Sequence, residues 1–408
     1  MESIETIIVG GGQAGLATSY HLKQLGREHI IFEAADKPAH AWRDDRWDSF
    51  TLVTPNWSVQ LPGAHHDGPD PDGYLPKDEI VAYFERYVQK YNFPIRFKTS
   101  VLEVMPLENG KGYRVQTSDG MWEAKNVVMA TGSFQKPKIP AFCKNIPADV
   151  LQLHSGQYRN PNQLPDGAVL IVGAAQSGMQ IGEELHQSGR EIYLGIGAAP
   201  RVPRRYRGRD IVSWLVTTGF FNQAVDQLPT PKARLISNPQ ASGKNGGHSL
   251  NLHQFARDGV KLLGRISGVQ DGKVIFAPDL KENLAKTDNF EKDLIGRIDK
   301  YIEANGISTP QETLPELQDG YSAEIVTELD LKAANIHTII LAMGYTADYS
   351  LVKLPVVDED GFPIQQGGAT NYPGLYFVGT HWLTKRSSAI LIGVNEDAER
   401  IVSHMTGR

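Results

Sequence analysis

Thr6-Ile7-Ile8-Val9-Gly10-Gly11-Gly12-Gln13-Ala14-Gly15, near the start of the chain, decides the fold. The β-branched run before the glycines predicts a buried parallel strand, and Gly15 opens a pattern of apolar residues at helical spacing that stops at Gly26. A second predicted strand covers residues 29–32 and leads directly to Glu33. A G-x-G-x-x-G turn between strand and helix, with an acidic residue about 20 positions further on, is the pattern of a dinucleotide-binding unit.

Each glycine of this turn has its own physical role. Gly10 permits the tight turn, Gly12 lets the backbone approach a pyrophosphate, and Gly15 lets the helix pack closely on the strand. Gln13 and Ala14 lie in the turn just before the helix, whose N-terminal N–H groups would face the phosphates. Glu33 would accept hydrogen bonds from an adenosine ribose. The alternative is a glycine-rich turn in an ordinary α/β fold that holds no ligand.

The same pattern returns 163 positions later, because residues 170–178 overlay residues 7–15 without a gap and Gly173 falls on Gly10. Ala175 replaces the middle glycine, so its methyl group keeps a ligand slightly further from the backbone. Ile196 stands where Glu33 stood, so the carboxylate that would bind a free ribose is missing. The repeat predicts a second nucleotide-binding unit whose turn is formed by Gly173, Ala174, Ala175, Gln176, Ser177 and Gly178.

A run of arginines follows Ile196, and it contains Arg201, Arg204, Arg205, Arg207 and Arg209. Guanidinium groups near a missing ribose acid are the pattern expected for the 2′-phosphate of NADP. We therefore predict that the first unit binds FAD and the second binds NADPH, with Arg201, Arg204 and Arg205 at the phosphate. A solvated basic loop and an interdomain salt-bridge patch are the alternatives, and binding of nucleic acid is a poorer interpretation in a net-acidic chain.

Composition excludes several other classes of protein. The 408 residues carry a net charge of −6 and include one cysteine, Cys143. A single cysteine excludes an intramolecular disulfide, a redox-active dithiol and a multi-cysteine metal site. The acidic N-terminus does not resemble a signal peptide, and no apolar run of about 18 residues suggests a membrane span. We expect a cytoplasmic protein that associates with neither membrane nor nucleic acid.

At this point the sequence resembles the class B flavoprotein monooxygenases, in particular a bacterial group similar to the YUCCA-type and flavin-containing monooxygenases. The resemblance covers nearly the whole chain. It is carried by residues 41–43, 46–50 and 52–56, by Met129-Ala130-Thr131-Gly132, by Leu341-Ala342-Met343-Gly344-Tyr345 and by Gly374-Leu375-Tyr376-Phe377-Val378-Gly379. The fingerprint F-x-G-x-x-x-H-x-x-x-[F/W/Y] keeps His154 and Tyr158, whereas Ala148 and Val150 replace its Phe and Gly. The subgroup therefore stays open.

The resemblance implies an α/β fold with two Rossmann-like dinucleotide-binding domains. It places the segments around Gly344 and Phe377 beside FAD, although both follow the NADPH unit. The FAD domain is then discontinuous, with residues 1–160 and 335–408, and the NADPH domain, residues 161–334, is inserted between them. Residues 236–247 read as an exposed loop.

The resemblance also implies site residues around the flavin. Thr131, Gly132 and Gly379 would touch FAD, and Trp42 and Arg43 would wall the isoalloxazine, with ordinary interdomain packing as the alternative. A helix that begins near Ser388 would direct its N-terminus at the flavin pyrimidine. Asn56 would hydrogen-bond the flavin or its peroxide as the catalytic residue, and a simple turn role is equally open.

The chemistry that the resemblance implies is oxygen transfer. FAD reduced by NADPH would react with O2 to form a C4a-(hydro)peroxyflavin, which oxygenates a small organic substrate at nitrogen, at sulfur, or at a ketone or keto acid. The alternative is an NAD(P)H-dependent flavin reductase that passes electrons to an external carrier. A homodimer is left open. A third class, a non-catalytic flavin-binding or NADPH-sensing protein, is disfavoured because both nucleotide sites look intact.

Two histidine-containing segments are interpreted without a catalytic role. His65-His66-Asp67 and the nearby Asp70 and Asp72 fit neither an EF-hand loop nor H-E-x-x-H, so we expect a solvated loop and no metal. His154 reads as a packing or hinge residue rather than a catalytic acid.

Overall fold

The computed structural model describes residues 2–108 and 110–408. The strands, in chain order, are β1 (Glu2–Val9), β2 (His29–Phe32), β3 (Gln60–Leu61), β4 (Ala64–His65), β5 (Ile95–Arg96), β6 (Val101–Pro106), β7 (Tyr113–Thr117), β8 (Gly120–Met129), β9 (Lys136–Pro137), β10 (Leu151–His154), β11 (Ala168–Val172), β12 (Ile192–Gly195), β13 (Arg205–Tyr206), β14 (Arg209–Asp210), β15 (Lys261–Leu263), β16 (Ile266–Gln270), β17 (Lys273–Phe276), β18 (Glu328–Asp330), β19 (Ile336–Leu341), β20 (Tyr345–Thr346) and β21 (Leu375–Phe377).

The α-helices, in chain order, are α1 (Gln13–Gln24), α2 (His40–Arg43), α3 (Lys77–Tyr91), α4 (Gln176–Gln187), α5 (Ile211–Thr217), α6 (Leu252–Arg257), α7 (Leu280–Ala304) and α8 (Val394–Thr406). Short 3₁₀ segments cover Asn56–Ser58, Ala141–Asn145, Pro161–Gln163, Phe220–Asn222, Val225–Gln227, Pro231–Leu235, Lys244–Gly246 and Asp319–Ser322. Across the described ranges, no helix is long and apolar enough to cross a membrane.

The first sheet is built around β1, which pairs in parallel with β2 on one side and β8 on the other. Its strand order is β5-β2-β1-β8-β7-β6, and β21 joins β8 in parallel at the carboxyl end. Val9 lies beside both Phe32 and Met129, and Met129 also lies beside Phe377. The carboxyl ends of four parallel strands therefore meet at one edge, where α/β sheets bind their ligands.

The second sheet is parallel throughout, in the order β10-β19-β11-β12-β15. Val172 lies beside Gly195 and Leu341, so the carboxyl ends again converge at the turn that follows β11. The interior strand β11 is buried along its whole length, as its unbroken apolar sequence predicts. The predicted α/β fold with two Rossmann-like units and a discontinuous first unit is confirmed.

Two strands lie in a different sheet from the one expected. We placed residues 151–154 and 336–341 with the first unit, but β10 and β19 pair in the second sheet. The physical reason is the register of β19, because its last residue, Leu341, pairs with Val172, the last residue of β11 before the second turn. The segment Leu341 to Tyr345 thus serves the second turn as Met129 to Gly132 serves the first. The second unit therefore needs wider limits than 161–334, so that it includes β10 and β19.

The chain crosses between the sheets twice, and the two crossings contact each other. Residues 130–150 lead from β8 to β10, and residues 342–374 lead from β19 back to β21. The short strands β9 and β20 within them pair antiparallel, with Tyr345 opposite Pro137 and Thr346 opposite Lys136. The joint between the two sheets is therefore a pair of bonded strands.

The segment 236–247, expected as an exposed loop, is partly buried. Gln240, Ala241 and Ser242 are 0–2% exposed. The side chain of Gln176 on α4 bonds Ala241 twice, donating to its carbonyl oxygen at 2.7 Å and accepting from its amide at 3.2 Å. The polar composition of the segment misled the prediction, because the backbone of these residues bonds other parts of the protein: Ala241 bonds Gln176, and the Gln240 N–H donates to the Pro200 carbonyl oxygen at 3.0 Å.

Candidate nucleotide-binding and redox site

The first turn has the backbone geometry that its glycines predict. Gly10 has φ +106°, and a Cβ there would lie 2.7 Å from the carbonyl oxygen of Ala130. A Cβ at Gly15 would overlap the carbonyl oxygen of Gly10. A Cβ at Gly12, by contrast, would have no heavy atom within 4 Å. Two glycines are therefore required by the fold itself, whereas the space in front of Gly12 is open and has room for a bound phosphate group.

Glu33 lies at the carboxyl end of β2 and supports the same turn. Its Oε2 accepts the backbone N–H of Gly11 at 2.7 Å, and its Oε1 accepts that of Ala35 at 2.8 Å. Each carboxylate oxygen keeps a further lone pair, so a ribose hydroxyl can still donate to it. No side chain caps the N-terminus of α1 in the described structure. The N–H groups of that first turn are thus available to an anion.

The second turn repeats this geometry closely. Gly173 has φ +105°, a Cβ there would lie 2.6 Å from the carbonyl oxygen of Ala342, and a Cβ at Gly178 would overlap the carbonyl oxygen of Gly173. Ala175 precedes α4 with φ −81° and ψ −170°, against −78° and −172° at Gly12. Ile196 is fully buried, so the end of β12 offers an apolar side chain where β2 offers a carboxylate.

The segments expected around a flavin do converge on the first turn. Gly379 has φ +72°, and a Cβ there would overlap that of Ala14. The side chain of Gln13 donates to the carbonyl oxygen of Ala389 at 2.8 Å. Thr131 and Gly132 are held by Gln135, whose Nε2 lies 2.9 Å from Thr131 Oγ1 and 2.7 Å from the Gly132 carbonyl oxygen. One edge of the first sheet gathers these groups.

The helix expected near Ser388 begins later, at Val394. Residues 387–393 form turns instead, because the Ser388 hydroxyl accepts the backbone N–H groups of Thr384 and Lys385, both at 3.1 Å. Thr384 in turn donates to the buried carboxyl group of Asp397 at 2.6 Å, and burial raises the pKa of Asp397. The prediction of a helix N-terminus at Ser388 was wrong, because the serines bond to nearby backbone rather than continue a helix.

Asn56, Trp42 and Arg43, which we expected near the flavin, have three different environments. Asn56 is 6% exposed; its Nδ2 donates to the Asp70 carbonyl oxygen at 2.8 Å, and its buried Oδ1 has no partner among the described residues. Trp42 is partly exposed. Arg43 is directed toward α3, where it pairs with Glu85 at 2.9 Å. Asn56 therefore combines a turn role with a free acceptor, and Arg43 has an acidic partner of its own.

The arginine run is largely neutralised by acidic residues of the protein. Arg201 is 6% exposed and pairs with Asp288 at 2.9 Å and Glu291 at 2.5 Å, both on α7. Arg204 is 2% exposed and pairs with Asp210 at 2.6 Å. These contacts match the salt-bridge alternative and argue against Arg201 and Arg204 as phosphate ligands. Their role at the 2′-phosphate stays a prediction that no contact supports.

Arg205 differs from those two arginines, because it is exposed and bonds only the carbonyl oxygens of Gly246 and Gly247. A further basic residue, which the sequence reasoning missed, lies nearer the end of β12. Arg265 follows β15, is 67% exposed at its side chain, and lies within 4 Å of a Cβ built on Gly197. It pairs with Asp279 at 2.5 Å. Only the pairing of β12 with β15 brings it there, so no local signal could have found it.

Two histidines lie close to the joint between the sheets. His154 is 2% exposed, bonds the Gly344 carbonyl oxygen at 3.0 Å and packs on Tyr345 at 4.6 Å, and burial lowers its pKa. His381, which the sequence reasoning missed, follows Gly379, and its backbone N–H donates to Ser133 Oγ at 2.8 Å. Burial, with a smaller effect of Arg386, lowers the pKa of His381 to about 4. Both imidazoles are therefore neutral at neutral pH. Among the described residues, no group of three His, Cys, Asp or Glu side chains could hold a metal ion.

Two sheets with parallel strands, each with a glycine turn and an uncapped helix at its carboxyl edge, have the architecture of an α/β protein with two dinucleotide-binding units. A family profile described as pyridine nucleotide-disulphide oxidoreductase matches residues 7–217, about half of the chain. An uncharacterized CzcO-like oxidoreductase of Geobacillus kaustophilus is 33% identical over 402 residues, which are 98% of this chain and 97% of that one. The protein belongs to the pyridine nucleotide-disulphide oxidoreductase family.

More distant relatives bear on the resemblance stated above. Flavin-containing monooxygenase 1 of Oryctolagus cuniculus is 24% identical over 399 residues, covering 90% of this chain and 66% of that one. The solved structure of a flavin-containing monooxygenase from Stenotrophomonas maltophilia shares the fold with a TM-score of 0.68 at 22% identity, covering 100% of this chain and 99% of that one. The resemblance to class B flavoprotein monooxygenases is confirmed, and with it an oxidoreductase of a family that uses a flavin and a nicotinamide nucleotide.

Proposed function

We propose that the protein is an FAD-dependent, NADPH-consuming monooxygenase that inserts one atom of O2 into a small organic substrate at nitrogen, at sulfur, or at a ketone or keto acid. The observation that carries this proposal is the pair of matching glycine turns, the first with open space at Gly12 and a carboxylate at Glu33. FAD, when bound, would supply the acceptor for hydride and the centre that activates oxygen. The residues of the protein would bind and orient the cofactors and the substrate.

The first unit would hold FAD. Gly12, Gln13 and the uncapped start of α1 would bind the pyrophosphate, and Glu33 would bind the ribose. Gly379 would let the flavin chain pass close to Ala14, and the Thr131 loop held by Gln135 would border the ring. The free Oδ1 of Asn56 is an acceptor without a partner in the described structure, which supports a hydrogen bond to the cofactor or to substrate.

The second unit would hold NADPH. Ala175, Gln176, Ser177 and the start of α4 would bind its pyrophosphate, and the buried Ile196 removes the carboxylate that would repel a 2′-phosphate. The two candidates for that phosphate are Arg205, which is exposed and bonds carbonyl oxygens, and Arg265, which is exposed beside the end of β12 although it also pairs with Asp279. The FAD domain would then comprise the first sheet with α1, α3 and α8, and the NADPH domain the second sheet with α4 and α7.

The family description includes disulphide oxidoreductases, but this chain has one cysteine. Cys143 is 7% exposed, and burial raises its pKa, which disfavours the reactive thiolate. A dithiol mechanism is therefore closed to the chain. The alternative that remains is a flavin reductase that passes electrons to an external carrier.

The test is isotopic. Purified protein loaded with FAD is given NADPH, ¹⁸O₂ and a panel of amines, thioethers, ketones and keto acids. A monooxygenase places one ¹⁸O atom in the product for each NADPH oxidised. NADPH oxidation without label in any product, together with fast reduction of a quinone or ferredoxin, would favour the reductase instead.

A further inference from the structure

A guanidinium group without a carboxylate partner lies in a cage of aromatic rings. The Arg46 side chain lies over Trp42 at 5.5 Å, Phe50 at 5.6 Å and Phe134 at 6.0 Å, each measured from the guanidinium carbon to the ring centroid. Tyr345 extends the cage, with its ring 5.5 Å from that of Phe134. Three aromatic rings thus lie within 6.0 Å of one positive charge, and a fourth packs on one of the three.

The charge of Arg46 is poorly compensated within the protein. Its guanidinium donates one hydrogen bond, to the carbonyl oxygen of Asp45 at 2.9 Å. No carboxylate of the described residues lies within 4.0 Å of it, in contrast to Arg201, which has two. A guanidinium has five N–H donors, so four are left unused. Burial lowers the pKa of Arg46, although the group stays charged at any physiological pH.

Arg386 offers a useful contrast, because it also lacks a carboxylate and burial lowers its pKa to about 10. Its guanidinium, however, donates to Gln223 at 2.9 Å and stacks on Phe220 and Trp382 at 4.2 and 4.5 Å. Those contacts fasten the two units together. Among the described residues, Arg46 has no such polar partner on another segment.

Two rings of the cage follow the strands that end at the two nucleotide turns. Phe134 follows the loop of Thr131 and Gly132. This loop continues from β8 through Ala130, which contacts Gly10 of the first turn. Tyr345 follows Gly344. This segment continues from β19 through Ala342, which contacts Gly173 of the second turn. Phe134 is 65% exposed, so the cage is open to solvent on that side. The side chain of Arg46 is itself partly exposed, so a small molecule that lies against Phe134 can contact it.

We propose that Arg46 binds the carboxylate of the substrate, and that the surrounding rings receive a flat apolar body attached to it. The substrate class is thus a small aromatic or apolar organic acid, an assignment that rests on the proposed function. A guanidinium fork matches a carboxylate with two parallel hydrogen bonds, and these are strongest in a partly desolvated site. The phosphates of NADPH present the same oxyanion chemistry, but the apolar walls fit a flat carboxylic acid better than a solvated diphosphate.

Isothermal calorimetry of the purified FAD-loaded protein tests this with phenylacetate and its neutral isostere phenylacetamide. Wild-type protein should bind phenylacetate at least tenfold more tightly than the amide. Arg46→Gln should remove that preference, and Arg46→Lys should keep part of it. Arg257→Gln, at an exposed surface pair with Asp319, is the matched control and should behave as wild type.

Equal affinity of wild type for the two probes, no binding of either, or an unchanged preference in Arg46→Gln would overturn the proposal. So would a loss in Arg46→Gln confined to NADP⁺ affinity, because it would assign the charge to the nucleotide. Calorimetry does not depend on turnover, so a wild type that binds phenylacetate selectively but yields no ¹⁸O product would count against the monooxygenase alone. Circular dichroism and flavin content of Arg46→Lys show whether the substituted cage still folds.

Discussion

The two nucleotide-binding units share a backbone geometry but differ at two positions that bear on ligand binding. Helices α1 and α4 begin and end 163 residues apart, as do strands β2 and β12. The glycines at 10 and 173 have φ of +106° and +105°. The units differ at Gly12 against Ala175 and at Glu33 against Ile196, the two positions that we propose face a pyrophosphate and a ribose. Glycines common to both units thus set the turn, and the proposed ligand preference depends on these two positions.

The most damaging way to break the comparison is to fill the glycines that both units require. Gly15→Ala and Gly178→Ala would each press a methyl group into the carbonyl oxygen of the turn glycine. We expect each to lower the free energy of unfolding by roughly 3 kcal/mol or more. Urea denaturation measures it. Gly12→Ala, which meets no atom, is the matched control with a cost of about 1 kcal/mol or less. A Gly178→Ala midpoint equal to wild type would refute the equivalence of the turns.

The next effect separates folding from binding in the first unit. Gly12→Val places a side chain in open space, so the protein should fold while FAD affinity falls at least 100-fold, or about 2.7 kcal/mol. Flavin absorbance after gel filtration measures the retained cofactor. Ala175→Val is the counterpart in the second unit, and it should weaken NADPH while the protein stays yellow. A fully loaded Gly12→Val protein would contradict the assignment of FAD to this turn.

A smaller effect sharpens the difference at the ends of β2 and β12. Arg265→Ala should weaken kcat/KM for NADPH by about 1.5–3 kcal/mol, the worth of a charged hydrogen bond, and leave NADH use unchanged. Steady-state kinetics with both nucleotides measures the ratio. Arg205→Ala is the parallel variant and tests the residue singled out from the sequence. Equal losses for NADPH and NADH in Arg265→Ala would remove it from the 2′-phosphate.

The smallest effect concerns a pair that only the second unit has. Glu183 on α4, at the position of Tyr20 on α1, accepts a hydrogen bond from His248 at 2.6 Å and raises the pKa of His248 above 6.5. Because the folded pKa is the higher one, the stabilisation is complete below about pH 6.5 and is lost as the pH rises through the folded pKa. With His248 about one-third exposed, we expect less than about 1 kcal/mol.

The measurement for this pair is the free energy of unfolding of wild type minus that of Glu183→Gln, taken between about pH 6 and pH 9. The difference should shrink toward the alkaline end. A difference that grows with pH, or that stays constant, would show that the pair does not act through the charge of His248.

The sequence predicts well what local spacing controls. The strand–turn–helix–strand units, the roles of Gly10 and Gly15, and the strand His29–Phe32 all follow from residues within about 25 positions of one another. The internal repeat supplied the second unit by the same route. The matching dihedral angles at Gly12 and Ala175 show that even a substituted position keeps the turn.

The errors come from contacts between residues far apart in the chain. Arg201 reads as a free cation until α7, some 90 residues later, brings Asp288 and Glu291 against it. Strand β19 was assigned to the wrong sheet because its partner β11 lies more than 160 residues away. Arg46 attracted no attention, because nothing in a sequence shows that a particular guanidinium will lack a carboxylate. Charge compensation is a property of the folded molecule.

The antiparallel pairing of β9 with β20 joins the two segments that cross between the sheets. A movement of one unit relative to the other would therefore displace both crossings together, and it would also strain the bond from Arg204 Nη1 to the Val53 carbonyl oxygen at 2.7 Å. Phe134 and Tyr345 lie in or next to the paired strands, so the same movement would change the aromatic surroundings of Arg46.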